Sequence, residues 1–78
     1  MKIEILGPGC SKCEKLLKNV EKAVEEQRIE KCEIEKITDL KKILAYGIMM
    51  TPGLVVDGKI KSVGKVLSPD DIKKLLAR

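Results

Sequence analysis

Apolar and polar positions alternate along the chain with two distinct periods. Lys2 to Leu6 reads as a strand, with β-branched Ile3 and Ile5 between charged neighbours. It runs into Gly7-Pro8-Gly9, a strong breaker. The period then changes. Cys13, Leu16, Leu17, Val20, Ala23 and Val24 form one stripe of a 3.6-residue repeat, which predicts a helix that fades near Arg28. Ser11 and Glu14 make a capping-box pattern that sets its start within a residue of Cys10. Lys31 to Ile37 alternates again, with Cys32 and Ile34 on one face of a half-buried strand. Thr38 or Asp39 caps a short helix with the stripe Leu40, Ile43 and Leu44, and Gly47 stops it. An apolar loop, Ile48 to Pro52, leads to Leu54-Val55-Val56 and Lys59 to Val63, two strands joined by the hairpin signal Asp57-Gly58. Ser68-Pro69-Asp70-Asp71 opens a last helix that buries Ile72, Leu75 and Leu76.

The predicted order is β-α-β-α-β-β-α. A right-handed crossover makes the first two strands parallel, and the hairpin adds an antiparallel pair. The expected fold is α/β, a mixed four-stranded sheet covered by three helices, in a single domain over residues 1–78.

Composition narrows the functional classes. A chain of 78 residues has a thin core and no room for a cleft between lobes. Tyr46 is the only aromatic, and there is no Phe, Trp or His. Imidazole catalysis, histidine metal ligation and base-stacking platforms for nucleic acid are thereby excluded. Lys plus Arg total 16 against 12 Asp plus Glu, an excess of +4 spread along the chain rather than massed. No apolar run approaches the roughly 20 residues of a membrane span. The charged start MKIEIL is unlike a signal peptide, so a cytoplasmic location is expected. Three cysteines, Cys10, Cys13 and Cys32, are too few for a secreted disulfide framework. In a reducing compartment a close pair points to catalysis or metal binding.

Cys10-Ser11-Lys12-Cys13 stands between a strand and a helix. Two intervening residues bring the sulfurs within bonding reach on the first turn. Free N–H groups and the helix dipole stabilise a thiolate at Cys10, with Lys12 as a nearby positive charge. Cys13, on the buried stripe, is sheltered. Cys10 then attacks a substrate disulfide, and Cys13 resolves the mixed disulfide.

With these residues in view, nearly the whole chain resembles the thioredoxin fold, and most of all the small, glutaredoxin-sized thioredoxin-like proteins of archaea and bacteria. Gly-Pro-Gly-Cys-Ser-Lys-Cys after a strand, Met50-Thr51-Pro52 before the hairpin, and Ser62 to Ser68 with its Gly64 carry the likeness. The resemblance implies a cis Thr51–Pro52 bond against the cysteines, with Thr51 and Pro52 holding the substrate chain. It also implies that Gly64 lets a partner approach closely. Glu4 stands where thioredoxin has a buried acid that assists the second cysteine, whereas its alternation with Ile3 and Ile5 points it to solvent. The Trp before the pair and the Gly-Pro within it are replaced by Gly9 and Ser11-Lys12, a departure that bears on partner range and potential.

The implied activity is reduction of protein or small-molecule disulfides by a monomer. It needs no bound cofactor and is recharged by an upstream reductase or low-molecular-weight thiol, with no nucleic-acid or membrane partner. The competing class is a soft-metal module using the same two thiolates. A closed zinc site needs four ligands, and three cysteines without His cannot supply them. Copper-chaperone domains order their elements β-α-β-β-α-β instead, and a shared iron–sulfur cluster is a lesser alternative. Cys32 is expected as a core residue rather than a third redox partner, and Tyr46 as packing. Met49 and Met50 are either core filler or, with Ile48, an apolar rim around Cys10.

Overall fold

A computed structural model describes residues 1–9 and 11–76. The elements are β1 (Lys2–Leu6), α1 (Ser11–Glu26), β2 (Glu33–Ile37), α2 (Leu40–Ala45), β3 (Gly53–Val56), β4 (Lys59–Val63) and α3 (Pro69–Leu76). The sheet order is β2-β1-β3-β4. β1 pairs parallel with β2, from Lys2↔Glu33 to Leu6↔Ile37, and antiparallel with β3. β3 and β4 close as the antiparallel hairpin. The expected element order and mixed sheet are those observed.

Local chemistry explains the element ends. Asp57 and Gly58 both take positive φ, 49° and 81°, as a two-residue hairpin turn requires. The Asp57 carboxylate accepts from the Lys2 N–H at 2.8 Å, tying the turn to β1. The Ser68 hydroxyl accepts from the Asp71 N–H and caps α3, with Pro69 in the first helical position. Asp39 caps α2 through the Lys41 N–H at 2.9 Å. α1 ends in a Schellman motif: Ile29 N–H donates to the Val24 carbonyl and Arg28 N–H to that of Glu25, with Arg28 at φ 52°.

Two cores lie on opposite faces of the sheet. Ile3, Ile5, Leu54 and Val56 meet Leu16, Val20 and Ala23 of α1 and Ile72 and Leu76 of α3. Leu6, Val55 and Ile37 meet Ile43 of α2 and Ile48, with Tyr46 packed against them.

Some expectations need correction. The second strand begins at Glu33, because Lys31 has φ 53°, outside the strand region. Only Ile43 of the α2 stripe is buried; Leu40 and Leu44 are 62% and 59% exposed. A helix of under two turns lays one residue on the core and leaves the flanking positions in solvent. Leu75 is likewise exposed. Ile48 belongs to the core and not to a rim, while Met49 and Met50 stand out at 93% and 63% exposure.

Candidate dithiol site

The site forms where β1 ends. Gly7 extends the β1–β2 pairing by donating its N–H to the Ile37 carbonyl at 2.9 Å. Gly9, at φ 95°, then turns the chain toward α1, a conformation that favours glycine. Cys13 sits in the first turn of α1 with no exposed surface. Its sulfur lies where a side chain on Gly7 would be, so the absence of a Cβ makes its berth. The Thr51 Cβ closes the other side, 3.8 Å from the same point. The Thr51–Pro52 peptide is cis, Pro52 is buried and Thr51 is half-buried. Elements more than thirty positions apart thus meet at one sulfur.

Gly64 completes the arrangement at φ 73° and donates its N–H to the Pro52 carbonyl at 2.8 Å. This bond fixes the backbone after the cis peptide. The notch left by the missing Gly64 side chain is occupied by Met50, whose Cε, Cβ and Sδ stand 3.2–3.6 Å from the place of a Cβ. The side on which a Gly64 Cβ would stand is therefore filled by this chain's own methionine.

Cys10, and with it the Lys12–Cys10 pairing, lies outside the described residues; Lys12 itself is exposed. Glu4 does not face solvent. It is 9% exposed and accepts a hydrogen bond from the Tyr46 hydroxyl at 2.9 Å. Strand alternation puts it with Leu6 on the α2 face, whereas Ile3 and Ile5 face the helix that carries Cys13. The role of assistant to Cys13 accordingly does not fit its placement, and Tyr46 does more than pack. The Tyr46 phenol is held above its usual pKa, first by its hydrogen bond to Glu4 and then by desolvation.

Cys32 lies before the start of β2, at the far end of the parallel pair from Gly7. Four residues of strand separate the ends, so about 13 Å or more divides it from the Cys13 berth. It packs against the α1-side core, and burial pushes its thiol pKa up. It is thus partly buried against the core, the packing placement expected of it. Gly7, the Met50–Gly64 contact and the Glu4–Tyr46 pair escaped the sequence reading. Gly7 looked like a turn former, and nothing local distinguishes a glycine that makes room for sulfur.

A buried Cys13 in the first turn of the helix after β1, beside a cis Thr51–Pro52 peptide and on this sheet, defines a thioredoxin-fold protein. The comparison with known proteins agrees. The thioredoxin-domain family model matches residues 1–77. A protein named thioredoxin from Methanothermobacter thermautotrophicus is 47% identical over 77 residues, covering 99% of each chain. Another of that name from Methanocaldococcus jannaschii is 43% identical over 74 residues, covering 95% of this chain and 84% of its own. The chain belongs to the thioredoxin family and is a thiol–disulfide oxidoreductase.

Proposed function

We propose that Cys10 and Cys13 form the dithiol/disulfide couple and that the protein reduces disulfides of protein or small-molecule substrates. The observation that carries the reading is the enclosure of the Cys13 sulfur by Gly7, with Thr51 at its side. Cys10, next to the first residue of α1 in sequence, is the attacking thiolate, favoured by the helix dipole and the Lys12 charge. It bonds to one substrate sulfur, and the other departs as a thiolate and takes a proton. Cys13 then loses its proton and attacks the Cys10 sulfur. The second substrate thiolate leaves, and a Cys10–Cys13 disulfide remains. The substrate gains two electrons, which an upstream reductase or low-molecular-weight thiol later returns to the protein.

In this reading the Thr51 backbone pairs with the substrate chain, Pro52 keeps it against the sulfurs, and Gly64 holds Pro52. The setting is cytoplasmic, where the couple is kept reduced. Insulin reduction under dithiothreitol tests the proposal, alongside Cu(I) and Zn(II) titration of the thiols. Wild type accelerates the reaction and Cys10→Ser abolishes the acceleration. Equal rates for the two proteins, with tight stoichiometric metal binding, would instead assign the thiolates to soft-metal transfer. Thiolate absorbance against pH in single-cysteine variants adds a second check, the expected result being a lower pKa at Cys10 than at Cys13.

A further inference from the structure

We propose that the groove between β4 and α3 is a docking surface for an acidic, partly apolar segment of the partner polypeptide. The proposal rests on the oxidoreductase reading and names the substrate class it serves. The groove has a volume of about 390 Å³ and is lined by Lys61, Ser62, Lys65, Leu67, Asp71, Lys74 and Leu75. Its three lysines come from different places: a strand bulge, a loop and a helix. Lys61 is the extra residue where the β3–β4 register shifts from Leu54↔Ser62 to Val55↔Ile60. All three are exposed, and none makes an ion pair among the described residues. Lys73, next to Lys74, is by contrast held by Glu26 and Asp70. Asp71 is the one carboxylate of the lining, so the groove carries a net charge of +2 over a floor of Leu67 and Leu75.

Two observations select a polypeptide. Asp70 and Asp71 already fill the first turn of α3 with negative charge, and Ser68 takes the Asp71 N–H, so a small anion gains little there. The floor and the spread of lysines suit a segment that alternates carboxylates with apolar side chains. The groove is also joined along the chain to the proposed substrate site. Ser62 is two residues from Gly64, whose N–H holds the Pro52 carbonyl, and exposed Val63 and Val66 flank the junction.

A labelled, cysteine-free peptide of alternating Glu and Leu, with a Gln/Leu control, reads the groove alone by fluorescence anisotropy. Wild type binds the Glu peptide about tenfold more tightly at low salt, and the difference shrinks as salt screens it. The variant carrying Lys61→Gln, Lys65→Gln and Lys74→Gln loses the preference, whereas Asp71→Asn strengthens binding about twofold. Reduction of uncharged hydroxyethyl disulfide reads the dithiol alone and is unchanged in both variants. Equal binding of the two peptides, or a preference kept by the lysine variant, overturns the proposal. Tighter capture of a DNA oligonucleotide, or self-association through this face in sedimentation, overturns it too. Absence of hydroxyethyl disulfide reduction by the wild-type protein, with its peptide preference intact, counts against the oxidoreductase reading and not against the groove.

Discussion

Gly7 has the tightest constraint of any single residue at the site. A methyl group there overlaps the Cys13 sulfur, which is backed by buried helix. Gly7→Ala is expected to cost about 1–3 kcal/mol through overpacking and to slow disulfide reduction, read from urea unfolding and insulin turnover together. The Glu4–Tyr46 pair gives a spectroscopic prediction. Ionised Tyr46 forfeits its hydrogen bond and faces a carboxylate, so it keeps its proton more tightly folded than unfolded. Its contribution to stability is therefore whole below the unfolded value of about 10 and is lost as pH rises through the higher folded value. Tyr46 is the only aromatic, so phenolate absorbance follows this titration without overlap. Tyr46→Phe is expected to lower the unfolding midpoint at neutral pH and to abolish this component of the alkaline decline.

At the scale of elements, the helix ends separate what propensity favours from what the fold imposes. α3 starts as its sequence asks, with Ser68, Pro69 and two acids. α1 ends with Arg28 in the left-handed region, at the position where a Schellman motif ordinarily has glycine. Arg28→Gly removes the Cβ clash and is expected to stabilise the protein by about 0.5–1 kcal/mol. The check is a higher urea midpoint with an unchanged slope. Residues Leu40 and Leu44 show the opposite relation, since an apolar stripe promises burial that a six-residue helix cannot provide. The bulge at Lys61 is another imposed feature. The alternation of Lys59 to Val63 shows a strand but not the register slip that turns a lysine toward α3.

Across the whole molecule, function separates by end of the sheet. The Cys13 berth, the cis peptide and Gly64 gather where β1 finishes, and Cys32 lies beyond its start. Cys32→Ser is accordingly expected to leave insulin reduction unchanged. Alkylation of the reduced wild-type protein at neutral pH should label Cys32 slowly, as a raised thiol pKa dictates, with mass spectrometry reporting the rate. Charge also changes meaning at this scale. Read along the chain, the lysines are dispersed; in space, Lys61, Lys65 and Lys74 share one groove.

The element order, the parallel β1–β2 pair, the hairpin turn and the place of Cys13 on the buried stripe of α1 were legible in the sequence because local patterns carry them. Periodicity reports which face is buried, a right-handed crossover makes consecutive strands parallel, and Asp-Gly favours the turn. Tertiary structure alone decided the space at Gly7, the partner of Glu4, the methionine over Gly64 and the meeting of three lysines. Each of these depends on residues far apart in sequence whose approach is fixed only when the sheet and helices pack, so no local pattern records it.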